Sequence, residues 1–232
     1  MHVVGLRLPL GRPILCLVSN RRRLAASLGG GVDSIEAVVT QVHAAVEADI
    51  DLVQIRDPDL SDRQLVNLVT SCLEVTRGTQ TRILVNGRLD IALAVGAAGV
   101  HLRSDSISAC RVRELVPVSF LVGRSVHDVA ETREAVAAGG LDYLIYGTVR
   151  ATVSKPIGHR LSGFTGLARA VQVADVPVLA IGGITERELP MVKCAGAAGF
   201  AAIGFFMNHR APGGYFDLRE QIGQVRKSFN IG

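Results

Sequence analysis

Eight short apolar runs constrain what this chain can fold into more than any other feature of it. They are ILCLVS (14–19), DLVQIR (51–56), RILVN (82–86), GVHL (99–102), FLVGRS (120–125), DYLIYG (142–147), VPVLAIGG (176–183) and GFAAIG (199–204). None alternates strictly between apolar and polar residues, as a strand with one wet face would. They read as strands buried on both faces, the pattern of a parallel sheet covered by helices.

Between the runs lie stretches with helical periodicity, roughly 33–47, 61–77, 88–95, 107–115, 127–138, 162–174, 185–194 and 215–229. Several open on residues that start helices, as Asp33-Ser34, Ser61-Asp62 and Thr185-Glu186 do. Strand then helix, eight times, is the count of a single (β/α)8 TIM barrel, and the spacing of about 26 residues per unit accommodates it. A doubly wound open sheet needs the same alternation, but no run is followed by its G-x-G-x-x-G fingerprint. The expected organisation is an N-terminal extension over 1–13 and one barrel domain over 14–232.

Composition narrows the class further. The chain is 48% hydrophobic with 25 glycines, which suits strands and helices packed closely through small side chains. Of its basic residues only Arg21-Arg22-Arg23 cluster, without interleaved aromatics, so a solvated loop is expected there and a nucleic-acid partner is not. Cys16, Cys72, Cys110 and Cys194 form no CxxC pair and read as reduced, mostly buried thiols with no metal site. The longest uncharged run, 194–209, is shorter than a membrane span and carries three glycines, so a cytoplasmic protein without a membrane partner is expected.

In a barrel the catalytic wall is built from the C-terminal ends of the strands and the loops after them. The IGGIT stretch suits an anion: glycines let it approach the backbone, and Gly204 occupies the matching place after the eighth strand. A tight turn is the competing reading of Gly182 and Gly183. The loop TVRATVSKPIGH carries Thr152, Ser154, Lys155 and His159 and suits closure over a charged ligand; an exposed, solvated loop is the alternative. Gln54 and Arg56 lie two apart on one strand and face the same side. A structural ion pair of Arg56 with Asp57 or Asp59 competes with an anionic ligand.

Read in order, VQIR, NGRLDIAL, GVHL, VGRSVH, DYLIYG, T-x-S-K, VPVLAIGGIT and GFAAI resemble the thiamine phosphate synthase and thiazole tautomerase superfamily from about Ile14 to Phe206. The synthases join a pyrimidine pyrophosphate to a thiazole phosphate using Mg²⁺. Their pattern has a lysine two residues after the strand-two arginine, an Asn-Asp pair after strand three and a further Asp after the strand-four histidine. This chain holds Pro58, Gly87 and Ser106 there, with Asp105 as the one neighbouring carboxylate. The sequence instead looks like the thiazole tautomerase (TenI-type) branch, with NGR after strand three and GRSVH at strand five.

That resemblance implies a phosphorylated thiazole as substrate, a homodimer, and no metal or other cofactor; Mg²⁺ enters only with the synthase alternative. Tautomerisation moves a proton from ring C2 of a carboxylated dihydrothiazole phosphate to its side-chain carbon. His127 maps onto the branch's catalytic histidine, and imidazole suits both proton steps near neutrality. Arg56 or Lys155 is expected to hold the carboxylate, with Gln54, Asn86, Arg88, Ser125, Thr152 and Ser154 also contacting substrate. Gly182, Gly183, Ile184, Ile203 and Gly204 are expected to hold the phosphate. A solvent-facing helix-start residue is the competing reading of His127, and a hydrogen-bonded structural role that of His101. Many relatives carry a serine where Gly204 stands. A non-catalytic binder of thiazole or thiamine phosphate remains the reading from a different functional class.

Overall fold

In the computed structural model, which describes residues 8, 11–28, 34–153, 158, 160–207, 210–211, 214–215 and 218–230, eight parallel strands close on themselves. They are β1 (Ile14–Val18), β2 (Leu52–Ile55), β3 (Arg82–Asn86), β4 (Gly99–Leu102), β5 (Leu121–Val126), β6 (Tyr143–Tyr146), β7 (Val178–Ile181) and β8 (Gly199–Ala202). Each pairs with its neighbours in chain order, and β1 returns to β8 through a register that sets Ile14 against Gly199 and Leu17 against Ala202. The chain is a single (β/α)8 barrel. Each strand overlaps its apolar run; β5 continues one residue past the run 120–125, to Val126.

The helices are α1 (Arg21–Ser27), α2 (Ser34–Glu47), α3 (Asp62–Thr76), α4 (Leu89–Val95), α5 (Ala109–Arg113), α6 (Val129–Ala138), α7 (Gly163–Val173), α8 (Leu189–Cys194) and α9 (Leu218–Asn230). Local chemistry starts several of them. Ser61 and Gln64 exchange the reciprocal bonds of a capping box at α3, and Thr185 and Glu188 do the same at the turn before α8. At α6 the Asp128 carboxylate accepts the Glu131 N–H at 2.9 Å. The arginine cluster expected to be a solvated loop is instead α1, capped by the Asn20 side chain, which accepts the Arg23 N–H at 3.0 Å. Its first two arginines are neutralised, Arg21 by Asp57 at 2.6 Å and Arg22 by Asp59 at 2.9 Å. Cross-loop carboxylates that hydropathy cannot see hold it there.

Alternation along the strands divides the apolar residues into two cores. Ile14, Cys16, Val18, Leu52, Leu84, Leu121, Tyr143, Ile145, Leu179 and Ala201 fill the barrel interior, with Leu8 packed among them. Leu15, Leu17, Val53, Ile55, Val85, Val122, Leu144 and Ala180 point outward against the helices. At the N-terminal end of the barrel, Asp51 accepts the Leu15 N–H at 2.9 Å and pairs with Arg12 at 2.6 Å, while Arg226 of α9 reaches Asp49 at 2.8 Å. Burial raises the Asp51 pKa, with Arg12 opposing it. Cys16 and Cys72 are buried as expected, but Cys110 and Cys194 are exposed. Among the described residues no helix is long and apolar enough to cross a membrane.

Candidate active site

At the C-terminal end of the barrel the inward-facing series turns polar. Leu52 is followed by Gln54, Leu84 by Asn86, Gly99 by His101, and Leu121 by Gly123 and Ser125, each two residues on and so on the same face. A cavity of about 1180 Å³ opens above them, with Ile145, Ile181 and Ala202 on its apolar side. Gln54, Arg56, Asn86, Ser125, His127, Thr152, Gly182, Gly183, Ile184, Ile203 and Gly204, predicted site residues, all line it.

Two hydrogen-bonded pairs stiffen this floor. Gln54 Nε2 donates to Asn86 Oδ1 at 2.7 Å. His101 is buried with Nε2 2.8 Å from Ser125 Oγ and Nδ1 3.0 Å from the Tyr143 hydroxyl. Burial pushes its pKa down to about 3, so the ring stays neutral and holds Ser125 and Tyr143 in place. This supports the structural reading of His101. It also explains the glycine in LVGRSVH: a Cβ on Gly123 would lie 2.0 Å from the Tyr143 ring.

His127 stands differently. Asp128, and not His127, caps α6, while the imidazole sits on the cavity wall. Glu131, one turn into α6, accepts the His127 N–H at 2.8 Å and lies 3.0 Å from Nδ1. An ionised carboxylate only accepts hydrogen bonds, so Nδ1 carries the proton in the neutral ring and Nε2 keeps its lone pair. A base oriented by a carboxylate is the usual arrangement for proton transfer.

The cationic side chains do not all behave as predicted. Arg56 lines the cavity, and its expected structural partners are taken, Asp57 by Arg21 and Asp59 by Arg22. Arg88 is a correction: it leaves the site and bridges Asp62 at 2.5 Å and Asp90 at 2.7 Å. The carboxylate two residues ahead, at the start of α4, captures it. Arg103, which also stands at a strand end, does line the wall. It follows β4 directly and stands two residues after His101, the spacing that carries it to the same side. Arg124 faces outward and donates to the Ser104 and Ile107 carbonyls. Ser154, Lys155 and His159 lie outside the described residues.

The glycines of IGGIT do more than turn the chain. Both have positive φ, 104° and 60°, and a Cβ on Gly183 would lie 2.3 Å from the Ala151 carbonyl oxygen of the loop after β6. Gly182, Gly183, Ile184 and Thr185 form one end of the cavity, with Ile203 and Gly204 beside them.

A divalent metal holding a pyrophosphate requires carboxylate oxygens. Among the described lining residues the single carboxylate is Glu186, at the IGGIT end, where Gln221 donates to it at 3.2 Å. Asp105 is exposed, paired with Arg103 at 2.5 Å, and not part of the wall. No group of three or more His, Cys, Asp or Glu side chains is placed for a metal among the described residues. These donors do not fit Mg²⁺.

Comparison with known proteins connects this arrangement to a family. Residues 30–205 match the family model described as thiamine monophosphate synthase. The chain is 34% identical over 195 residues to the thiamine-phosphate synthase of Roseiflexus castenholzii, covering 84% of this chain and 81% of that one. It is 36% identical over 189 residues to a putative thiamine-phosphate synthase of Geobacter sulfurreducens, covering 82% and 84%. Among solved structures, thiamine phosphate pyrophosphorylase from Pyrococcus furiosus superposes with a TM-score of 0.74 at 29% identity, over 94% of this chain and 96% of that one. A 3-hexulose-6-phosphate synthase, TM-score 0.65 at 18% identity, shares the fold alone. These relatives are named for the synthase reaction, the alternative of the sequence reading, and not for tautomerisation.

Proposed function

The chain belongs to the thiamine monophosphate synthase family, and from that membership we propose that it is an enzyme of thiamine biosynthesis that binds a phosphorylated thiazole and moves a proton on it, a thiazole tautomerase. The family supports the pathway and the substrate class. The side chains of the site carry the chemistry, and relatives one-third identical leave the reacting residues free to differ.

The observation that carries the reading is the His127–Glu131 pair beside a cavity whose described lining holds a single carboxylate, Glu186. In the proposed reaction Nε2 of His127 takes the ring C2 proton, and the resulting imidazolium returns a proton to the exocyclic carbon. Glu131 holds the ring orientation and stabilises its charged form. Arg56 faces the substrate carboxylate, and the Gly182–Gly183 and Ile203–Gly204 segments surround the phosphate. Aromatisation drives the conversion, so base, acid and orientation suffice.

The names of the relatives favour a second reading, the transferase that joins a pyrimidine pyrophosphate to a thiazole phosphate. The cavity, at about 1180 Å³, has room for two such substrates. The missing carboxylates count against it.

One experiment separates the two. Conversion of the carboxy-dihydrothiazole phosphate is followed by NMR with EDTA present, beside a thiamine phosphate synthesis assay with Mg²⁺ and both substrates. Chelator-resistant turnover that falls about 10²–10⁴-fold in His127→Gln is the expected result. Mg²⁺-dependent thiamine phosphate formation with no tautomerisation overturns the proton-transfer reading and establishes the transferase.

A further inference from the structure

The third arginine of the α1 cluster differs from the other two. Arg21 and Arg22 are each neutralised by a carboxylate of the loop after β2. Arg23 has no ion pair among the described residues, although it is half-buried. It lines the cavity, and its guanidinium closely approaches the eighth-strand end: a Cβ on Gly204 would stand 2.7 Å from Nη2 and 3.2 Å from both Cζ and Nη1. Because β1 and β8 are hydrogen-bonded neighbours, the segments that follow them are adjacent at the barrel mouth. The helix cap fixes the backbone there, through the Asn20 side chain and the Arg23 N–H.

A guanidinium partly withdrawn from water and without a counter-charge calls for an anion. Its planar fork matches two phosphate oxygens at once. The end of the cavity it borders is the one formed by Gly182, Gly183, Ile203 and Gly204. We infer that Arg23 is a ligand-binding residue that grips the phosphate of the substrate from the β1 side, in space kept open by the missing side chain of Gly204. The arrangement divides the triplet by role: two arginines anchor α1 to the barrel and the third faces the ligand.

This inference rests on the reading of the site as one for a phosphorylated thiazole, so its test separates the two. Calorimetric titrations compare wild type, Arg23→Gln and Arg23→Lys with three probes: thiazole phosphate, the same thiazole as its free alcohol, and inorganic phosphate. Melting curves check that the variants fold. The expected result is a weakening of thiazole phosphate by about 10–100-fold in Arg23→Gln, a smaller loss in Arg23→Lys, and unchanged affinity for the alcohol. Equal affinities in wild type and Arg23→Gln, or an equal loss for the phosphate and the alcohol, overturn the inference while leaving the family reading intact. If the wild type binds neither thiazole, the substrate reading falls and inorganic phosphate decides alone. Weaker phosphate binding in Arg23→Gln then supports the inference, and no difference or no binding overturns it.

Discussion

Gly123→Ala tests the packing that holds the polar floor together. The new methyl carbon would lie 2.0 Å from Cζ and 2.4 Å from the hydroxyl of Tyr143, a fully buried side chain of the barrel interior. To reach an ordinary contact of 3.4 Å the ring must retreat by about 1.4 Å, into space occupied by the interior core. That movement breaks its 3.0 Å contact with His101. Overpacking costs about 1–3 kcal/mol, and a lost buried hydrogen bond about 1 more, so a destabilisation of about 2–4 kcal/mol is expected. For a domain of this size each kcal/mol lowers the melting temperature by about 2–4 °C. Urea midpoints and thermal melting measure both quantities. Making the same change in a Tyr143→Leu background removes the clash and reduces the cost of the alanine to under about 1 kcal/mol. A Gly123→Ala protein within about 0.5 kcal/mol of wild type refutes the argument that Tyr143 dictates this glycine.

Other outcomes follow from the same geometry. Because the folded pKa of His101, about 3, lies below the ordinary 6.5, the unfolded chain takes up its proton first as pH falls. This contribution to stability is complete above about pH 6.5 and declines toward pH 3, with a ceiling of about 4–5 kcal/mol. Urea midpoints at neutral and mildly acid pH should therefore converge in His101→Gln relative to wild type, and an identical pH slope in the two proteins contradicts the assignment. Arg88→Ala removes only surface ion pairs and should leave turnover and KM at wild-type values; a raised KM would return Arg88 to the site. Thiol labelling of the native protein should modify Cys110 and Cys194, and reach Cys16 and Cys72, whose pKa values burial pushes up to about 12, only after unfolding. Rapid labelling of all four in the native state would contradict the buried placement.

The sequence by itself determined the eight strands and their cyclic order. Hydrophobic burial on both faces leaves a one-dimensional trace, so unbroken apolar runs separated by helical periods identify a covered parallel sheet, and eight of them close it. It also determined which residues stand at the strand ends, because a two-residue alternation carries the inward face from Leu52 to Gln54 and from Leu84 to Asn86. What the tertiary structure decided were the destinations of long polar side chains. Arginines reach several ångströms and settle on whichever carboxylate the fold brings near, which hydropathy does not encode. Arg88 therefore turned to Asp62 and Asp90, Arg21 and Arg22 turned to Asp57 and Asp59, and Arg23, a neighbour in the same triplet, was left at the cavity beside Gly204. The roles of His101 and His127 divided for the same reason. Both are histidines at strand ends, but burial between Ser125 and Tyr143 keeps one neutral, while the other meets Glu131 at the edge of the cavity.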